Sequence, residues 1–445
     1  MQLHPRITPL LVALLITSPL LAADAPRPNI VFIFADDLGY NDVSFNGRTE
    51  WQTPNLDRLA QQGTRFTRWY TASVVCAPSR FALLTGRYGI HTGSTGNGSP
   101  DLPADEVTIA EALRRLGYAT ALFGKWHQGR VPKDQTPLNP IDQGFDEFFG
   151  FVNAVHAWQK FPEKLLDGRD EIEVSGYCDT LFTHRAIDFI RRHRDKPFFL
   201  YLPYTAPHFE IAAPPDEVSR FAGKFAEADK NEPLNATYAA MITKMDEEIG
   251  RVMATLDELG LAENTIVIFT SDHGATFEVR AKGVADFHDS NAPFRGQKRT
   301  IWEGGIRVPG IVRWPGKVPA GTVSEYIVHM IDVMPTLLAA AGTAPEPAWQ
   351  VDGVNLLEVW RGRQPPPRRT VFFEWREGGD MQLAAMRNEF KLIINGGNKP
   401  ELYNLTADPG ERRNIIAQHP KLAKQLQQEL EEWLAGEKQV SLDSP

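Results

Sequence analysis

The stretch Ile30-Val31-Phe32-Ile33-Phe34-Ala35-Asp36-Asp37 indicates the fold of this chain, because an apolar run of β-branched and aromatic residues ends in two carboxylates. Such a run is typical of a strand that is buried on both faces of a sheet. Three later apolar runs are also followed by ionisable side chains: Ala119 to Phe123 before Lys125 and His127, Phe198 to Leu202 before His208, and Thr265 to Phe269 before Asp272 and His273. The sequence therefore predicts four buried strands that each deliver polar groups.

Helical patterns lie between these strands, over Thr108 to Leu116, Thr180 to His193 and Tyr238 to Leu259. Alternating strands and helices predict an α/β fold with a large, mostly parallel sheet sandwiched by helices. In such sheets the ligand lies beyond the carboxyl ends of the strands. We therefore expect the four polar clusters to meet at one edge of the sheet.

A candidate nucleophile lies in the run Cys76-Ala77-Pro78-Ser79-Arg80, which continues through Phe81-Ala82-Leu83-Leu84 to Thr85-Gly86. Pro78 suits the first turn of a helix, so residue 76 is predicted at a helix N-terminus, where free N–H groups favour negative charge. Arg80, one turn later, can direct its planar donors to the same place. The pattern indicates a sulfate or phosphate site. The alternatives are a buried apolar cysteine and an ordinary reactive thiol.

Three carboxylates, those of Asp36, Asp37 and Asp272, follow two of the predicted strands. Carboxylate oxygens are hard ligands that suit Ca²⁺ or Mg²⁺ better than zinc. Without a cation, carboxylates at one sheet edge would repel one another. The alternative is that these residues only form turns or caps.

The chain has 445 residues and a formal net charge of −9, which argues against a general nucleic-acid-binding protein but permits a local basic pocket. This length can bury a large core and accommodate two domains. Only two cysteines are present, so if Cys76 has a chemical role, Cys178 lacks an evident partner. We therefore expect no disulfide framework.

Residues 1–23 have the pattern of a secretory signal peptide, with Arg6 near the start and an apolar stretch from Leu10 to Leu21. The competing interpretation is an uncleaved membrane anchor, but Pro9 and Pro19 bracket an apolar segment that is short for a span. We expect cleavage, an exported protein that is periplasmic or secreted, and no membrane span in the mature chain.

The pattern changes after Asp352-Gly353, where short strand candidates replace the long alternation. These candidates and a final amphipathic helix are Val371 to Trp375, Leu383 to Arg387, Phe390 to Ile394, and Lys421 to Leu434. They predict a smaller C-terminal subdomain with an antiparallel sheet plus a helix. The expected domains are residues 24–352 and 353–445.

The run from Cys76 to Gly86 resembles the signature of formylglycine-dependent (type I) sulfatases, arylsulfatase-like enzymes of the alkaline-phosphatase-like superfamily. The resemblance extends to Asp36-Asp37-Leu38-Gly39-Tyr40, to Gly296-Gln297-Lys298 and to Trp302 through Pro309, and it covers nearly the whole mature chain. One departure is Pro207-His208-Phe209-Glu210, where the family commonly has Pro-His-x-Pro. The resemblance implies an alkaline-phosphatase-like fold and a sulfuric ester hydrolase.

The resemblance also implies a modification and a metal ion. A formylglycine-generating enzyme or an anaerobic sulfatase-maturating enzyme would convert Cys76 to formylglycine. One Ca²⁺ would be held by Asp36, Asp37, residue 76, Asp272 and His273. His273 takes the place of an amide in many relatives, and imidazole is a softer ligand than an amide oxygen.

The catalytic set that the resemblance implies is Cys76, Arg80, Lys125, His127, His208, Asp272 and Lys298. In this scheme Arg80, Lys125 and Lys298 neutralise the sulfate oxygens, while Asp272 and Ca²⁺ activate the nucleophile. His208 and Lys298 serve the leaving group, and His127 accepts the proton that allows sulfate to depart.

The expected substrate is a sulfated carbohydrate or polysaccharide, or an aryl sulfate. Trp158 is a candidate to stack on a sugar face, and Lys160, Lys164 and the stretch from Arg280 to Arg295 are candidates for the pocket rim. Two alternatives stay open. One is a phosphodiesterase or phosphonate monoester hydrolase of the same superfamily, and the other is a non-catalytic sulfated-glycan-binding protein.

Overall fold

The structure, a computed structural model, describes residues 27–97, 102–128 and 138–436. The predicted signal peptide at 1–23 lies outside these ranges. Eleven strands form one sheet: β1 Asn29–Asp36, β2 Thr64–Tyr70, β3 Ala119–Lys125, β4 Glu147–Phe151, β5 Lys164–Asp167, β6 Asp170–Glu173, β7 Phe198–Pro207, β8 Thr265–Ser271, β9 Arg307–Val308, β10 Gly310–Arg313 and β11 Thr322–His329. Their spatial order is β11-β2-β10-β8-β1-β7-β3-β4-β5-β6, with β9 beside β2.

The centre of this sheet, β8-β1-β7-β3-β4, is parallel throughout. The four strands predicted from apolar runs are β1, β3, β7 and β8, and all four lie in this parallel centre. Antiparallel pairs flank the centre at β10 on one side and at β5 and β6 on the other. The predicted α/β fold with a large, mostly parallel sheet is confirmed.

Helices cover both faces of the sheet. The described residues of this part of the chain form ten α-helices: α1 Pro54–Gln62, α2 Cys76–Thr85, α3 Ile109–Arg115, α4 Cys178–Arg192, α5 Pro215–Ser219, α6 Leu234–Glu258, α7 Val284–Phe287, α8 Glu303–Ile306, α9 Val333–Ala340 and α10 Leu357–Trp360. Because side chains alternate along a strand, Phe32 of β1 packs with α2, α3 and α9, whereas Ile33 packs with α1, α4 and α6. Every residue of β1 is buried, as its apolar sequence predicts.

Local sequence explains where two of these helices begin. The Thr108 hydroxyl accepts from the Glu111 N–H at 3.1 Å, and the Glu111 carboxylate accepts from the Thr108 N–H at 2.9 Å, which caps α3 reciprocally. Helix α2 begins at Cys76, with Pro78 in its first turn, and ends before Gly86, whose φ of 69° is left-handed. The predicted position of residue 76 at a helix N-terminus agrees with the structure.

The C-terminal part forms a separate antiparallel sheet and one long helix: β12 Val371–Glu377, β13 Asp380–Arg387, β14 Phe390–Asn395, β15 Glu401–Asn404 and α11 Pro420–Ala435. Leu426 and Leu430 of α11 pack on Leu383 and Leu402 of the sheet. The opposite face packs on the larger part of the chain through Trp375 and its neighbours. The boundary between residues 352 and 353 stays a prediction. Within the described ranges, no helix has the length and apolar character needed to cross a membrane.

Candidate active site

The polar clusters meet at one edge of the large sheet. Asp36 ends β1, Lys125 ends β3, His208 directly follows β7 and Asp272 directly follows β8. These strands are parallel neighbours, so their carboxyl ends lie side by side. All four side chains are buried. The topology thus brings together groups that are far apart in sequence.

Cys76 lies in the same cluster because α2 is fastened to the end of β8. The hydroxyls of Thr71 and Ser79 both donate to the Asp272 carbonyl. The Cys76 Sγ lies 3.2 Å from Nε2 of His273 and 3.7 Å from Nζ of Lys298. The sulfur therefore lies between an imidazole and an ammonium group.

One half of the charge cluster is centred on Asp36. Its Oδ1 is 3.1 Å from Nη2 of Arg80, and its Oδ2 is 2.6 Å from Nζ of Lys125. Arg80 Nη2 also lies 3.0 Å from Oδ2 of Asp272. Arg80 is 0% exposed, and its Nη1 donates to the Lys125 carbonyl at 3.0 Å, so both terminal nitrogens of this guanidinium have buried partners.

The other half is centred on Asp37, whose left-handed φ of 62° turns the chain directly after β1. Lys298 donates to both Asp37 oxygens, at 2.9 and 3.0 Å. Nε2 of His273 lies 3.3 Å from Oδ1, and Nε2 of His208 lies 3.9 Å from Oδ2. The Asp37 N–H donates to Oδ1 of Asp272 at 3.0 Å, which joins the two halves.

The buried carboxyls divide into two kinds. Burial raises the pKa of Asp37, but Lys298, His208 and His273 outweigh burial and bring that pKa to about 2. For Asp272 burial prevails, with a contribution from Asp36, and the pKa lies well above its ordinary range. The carboxyl of Asp272 therefore lacks enough neighbouring positive charge to favour ionisation.

The thiol and the adjacent imidazole are also perturbed. Burial raises the pKa of the Cys76 thiol, but Lys125, Lys298 and His273 lower it to about 7. Burial lowers the pKa of His273, whereas Asp272, Cys76 and Asp37 raise it to about 9. An anion at residue 76 is thus favoured by the surrounding charges.

These donors fit a hard divalent cation. Asp37, Cys76, Asp272 and His273 each offer a ligand atom, and those atoms lie within 4.8 Å of one another. Asp36 and His208 form an equally close group with Asp37 and Cys76. Carboxylate oxygens are ligands that Ca²⁺ prefers. The raised pKa of Asp272 indicates that positive charge is lacking beside this carboxyl, and a bound Ca²⁺ would supply it. The Cys76 sulfur is the soft member, and an oxygen at that position would make the set harder.

The two predicted histidines differ in their surroundings. His127 has a left-handed φ of 54°, and its buried Nδ1 has no hydrogen-bond partner in the described ranges. Nδ1 of His208 is within hydrogen-bond distance of the Phe209 carbonyl. Burial lowers the pKa of both imidazoles well below the ordinary value, with Lys125 adding to this effect at His127. Burial therefore favours the neutral form of both imidazoles.

Two residues that the sequence interpretation missed hold the backbone beside Cys76. Nε2 of Gln128 donates to the Ala77 carbonyl at 2.6 Å, and Oδ1 of Asn97 accepts from the Ala77 N–H at 3.1 Å. Gln128 follows His127 directly, which is the one sequence signal that could have indicated it. Asn97 lies far from every motif, so only the fold reveals its contact.

The predicted pocket rim is partly wrong. Lys160 is buried and donates to the Thr205 carbonyl at 2.9 Å, so it does not face an open pocket. Lys164 is exposed on β5, where its Nζ lies 2.7 Å from Glu171. Trp158 does lie beside the His208 loop, with its ring centroid 5.3 Å from that of Phe209.

Comparisons with known proteins identify the family of the chain. The sulfatase family model matches residues 28–343, and a second model, N-sulphoglucosamine sulphohydrolase, C-terminal, matches residues 295–439. The chain is similar to the N-acetylgalactosamine-6-sulfatase of Mus musculus, with 33% identity over 408 residues that cover 84% of this chain and 74% of the relative. It is also similar to the N-acetylgalactosamine-6-O-sulfatase of Bacteroides thetaiotaomicron, with 31% identity over 490 residues that cover 92% and 93% of the two chains.

A solved structure shares the fold over nearly the whole chain. The crystal structure of Ps i-CgsB in complex with k-i-k-neocarrahexaose matches with a TM-score of 0.84 and 30% identity, covering 93% of this chain and 94% of that one. The family models, the relatives and the fold all lead to one assignment. The chain therefore belongs to the sulfatase family and is a sulfuric ester hydrolase of the alkaline-phosphatase-like superfamily.

Proposed function

We propose that this enzyme hydrolyses sulfate esters of carbohydrates, with formylglycine made from Cys76 as its nucleophile and one Ca²⁺ as its metal. The observation that carries the proposal is the convergence on Cys76 of Lys298 and His273, with Asp37 behind them. Three buried cationic side chains at one sheet edge suit the binding of a tetrahedral anion. Three buried carboxyl side chains at the same edge suit the binding of a metal ion.

Formylglycine would supply a hydrated aldehyde as the nucleophile, and Ca²⁺ would supply positive charge beside it. The ligands of the ion would be Asp36, Asp37, Asp272, His273 and an oxygen at residue 76. Because modification replaces sulfur with oxygen, the metal and the modification support each other chemically. The modification requires a formylglycine-generating or anaerobic sulfatase-maturating enzyme as a partner.

The cations of the chain would bind the sulfate group. Lys125 and Arg80 are held by Asp36, and Lys298 is held by Asp37, so their positive charges are oriented before substrate arrives. Burial lowers the pKa of Lys298, but Asp37 and Cys76 raise it above the ordinary value, so its ammonium stays charged. Preorganised charge of this kind stabilises the oxygens of the sulfuryl transition state.

Protons would move at two places. Lys298 and His208 serve the leaving-group oxygen, and the negative charge of a bound sulfate ester would favour the protonated form of His208. His127 is neutral because burial lowers its pKa, so it can accept the proton from the hydroxyl at residue 76. Asp272 would accept a hydrogen bond from that residue and orient it.

A carbohydrate substrate is supported by the relatives and by one wall of the site. Two relatives are named for N-acetylgalactosamine 6-sulfate, and the solved relative was crystallised with k-i-k-neocarrahexaose. In this chain, Trp158 lies beside Phe209, and the guanidinium of Arg280 lies 4.9 Å from the Trp158 ring centroid. An aromatic ring beside a cation suits a sugar face that carries anionic groups.

The test combines mass spectrometry with a substrate panel. The peptide that contains residue 76 should be lighter by about 18 Da than the cysteine form, as replacement of the thiol by an aldehyde requires. The same preparation should release sulfate from sulfated sugars and aryl sulfates faster than it hydrolyses a matched phosphate diester or phosphonate. An active preparation in which residue 76 is entirely cysteine, or a preference for phosphonate, would refute the proposal.

We also propose that the enzyme is exported to the periplasm or secreted, with residues 1–23 removed. The support is the signal-like pattern of those residues in the sequence. The N-terminal peptide of the native protein, identified by mass spectrometry after cell fractionation, should begin shortly after residue 23. A cytoplasmic protein that retains this segment would contradict the proposal.

A further inference from the structure

A second polar cluster lies directly beneath the His208 loop. Lys160, Asp179 and Thr205 are 2%, 0% and 0% exposed, and none belongs to the proposed catalytic set. Asp179 is the second residue of α4, and Thr205 lies near the end of β7. Burying a lysine and a carboxylate is unfavourable unless their partners are well placed.

Strand β7 leaves the regular ladder at this point. Phe34 of β1 is opposite Pro203, but Asp36 is opposite Pro207. Two steps along β1 therefore correspond to four steps along β7, and the extra residues of β7 form a bulge. Bulges near active sites redirect the side chains that follow them, and here the bulge immediately precedes His208.

Asp179 supplies the acceptors for the backbone of this bulge. Its Oδ1 accepts from the Thr205 N–H at 2.9 Å and from the Thr205 hydroxyl at 3.0 Å. Its Oδ2 accepts from the Ala206 N–H at 3.1 Å. Without this carboxylate, two buried N–H groups would lose their acceptors, which strongly disfavours the observed backbone path.

Lys160 connects the bulge to His208 itself. Its ammonium donates to the Thr205 carbonyl at 2.9 Å, and the His208 N–H donates to the same oxygen at 3.1 Å. The peptide unit of Thr205 is thus held by Asp179 at its N–H side and by Lys160 at its carbonyl. The next turn of chain places Nε2 of His208 3.9 Å from Asp37.

We propose that Asp179, together with Lys160, is a positioning residue that holds His208 at the leaving-group oxygen. This inference rests on the leaving-group role of His208 in the proposed function. The side-chain hydrogen bonds of Asp179 are with Cys178, Thr205 and Ala206, so it acts through the β7 bulge. Substitution of Asp179 should therefore slow the reaction as a partial loss of His208 function would, and it should not weaken sulfate binding.

The test is the leaving-group dependence of kcat for Asp179→Asn. An amide presents a donor to one of the two N–H groups, so the bulge should shift while the volume of the side chain is kept. With phenyl sulfate, a poor leaving group, kcat should fall about 100-fold, the usual effect of a misplacement near 1 Å. With 4-nitrophenyl sulfate, a good leaving group, the fall should be much smaller, and KM should change little.

Asp188→Asn is the matched control, because Asp188 lies on the exposed side of the same helix. It should behave as wild type with both substrates. If Asp179→Asn does not fold by circular dichroism, Thr205→Val removes one donor to Asp179 and should show the same selective loss at smaller size. An equal loss with both substrates, in whichever of the two variants folds, would overturn the proposal.

A double variant separates this proposal from the one on which it rests. If His208→Ala shows no greater loss with phenyl sulfate than with 4-nitrophenyl sulfate, the leaving-group role of His208 is wrong. If His208→Ala shows that selective loss, Asp179→Asn should add little to it in the double variant, because the group it positions is gone. If the fold-losses of the two single variants multiply in the double variant, Asp179 acts independently of His208, and the positioning role is overturned.

Discussion

Two buried charge clusters in this molecule look alike in composition and differ in what they can do. The first, named the sulfate pocket for its proposed role, consists of Asp36, Asp37, Arg80, Lys125, Asp272 and Lys298. The second, the junction cluster, lies between the two sheets and consists of Tyr70, Glu303, Arg307, Lys391 and Glu411. Nearly all of these side chains are buried, and both clusters hold carboxyls with strongly shifted pKa values.

In the junction cluster, the charged groups pair with one another. Nζ of Lys391 lies 3.0 Å from Glu303 and 2.8 Å from Glu411, and the Tyr70 hydroxyl donates to Glu303 at 2.8 Å. These contacts fasten β14 of the small sheet to α8 and β2 of the larger part. The charges face one another, and neither cysteine of the chain lies among them.

The sulfate pocket differs because its groups are placed to bind a ligand. Its ligand atoms converge with those of Cys76 and His273, and Nδ1 of His127 has no partner among the described residues. A perturbed pKa alone therefore does not identify a functional site. Ligand atoms that converge beside a cysteine indicate such a site, whereas the paired charges of the junction cluster hold two parts of the fold together.

The largest effect should come from Cys76→Ala. Removing the precursor of the proposed nucleophile should lower kcat/KM for 4-nitrophenyl sulfate by about 10⁴-fold or more, while the free energy of unfolding changes by about 1 kcal/mol or less. Sulfate release and urea denaturation measure the two quantities. If Cys76→Ala is as active as wild type, the reaction does not need Cys76, and the proposed role of the sulfate pocket is wrong.

The next effect belongs to the junction cluster. Lys391→Met leaves Glu303 and Glu411 buried without their shared cation, so the free energy of unfolding should fall by about 3 to 5 kcal/mol. Lys399→Met, at an exposed position nearby, should change it by about 0.5 kcal/mol or less. Urea denaturation decides the matter, and equal effects of the two substitutions would show that the junction cluster is not a structural clamp.

Removal of calcium should distinguish the two clusters by their response. At free Ca²⁺ near 100 times the dissociation constant, chelation should lower the free energy of unfolding by about 2.7 kcal/mol and abolish most activity. Lys391→Met should respond to chelation as wild type does, whereas Asp37→Asn should no longer respond. Thermal unfolding with and without chelator measures this, and an unchanged response in Asp37→Asn would contradict the assigned ligand.

The smallest effect concerns pH and the junction cluster. Burial raises the pKa of Glu411 to about 7, with Lys391 opposing and Glu303 adding to the rise. The folded state thus holds this proton more tightly than the unfolded state, and the resulting stability is present below about pH 4.5 and lost as pH rises through 7. The free energy of unfolding of wild type relative to Glu411→Gln should therefore fall between pH 5 and 8. The exposed Glu325→Gln should show no such trend against wild type, and a rise in place of a fall would contradict the shifted pKa.

The edges of the fold were harder to predict than its centre. The sequence interpretation found β1, β3, β7 and β8 because they are buried on both faces and read as continuous apolar runs. It did not find β2, whose sequence Thr64-Arg65-Phe66-Thr67-Arg68-Trp69-Tyr70 lacks a regular alternation, or β6, whose four residues are mostly charged. Such strands form because a neighbouring strand offers hydrogen-bond partners, and this information is absent from their own sequence.

The residues of the site also divide into those that the sequence indicated and those that it did not. The residues beside a motif or at the end of an apolar run could be named from the sequence. Lys160 was assigned wrongly to the pocket rim because its burial depends on a carbonyl of β7 that lies 45 residues away. Asp179 and Asn97 carry no signal of their own, since their partners are backbone N–H groups of β7 and α2 that lie 27 and 20 residues away in the sequence.

The sequence by itself determined the alternation of strands and helices, the nucleophile position at the start of a helix, and the types of charge that the pocket contains. These follow from local patterns of hydrophobicity, turn chemistry and motif spacing. Only the tertiary structure decided which buried charges face a shared centre and which neutralise one another. That distinction depends on distances of a few ångströms between residues from separate strands, and those distances are set by the packing of the whole sheet.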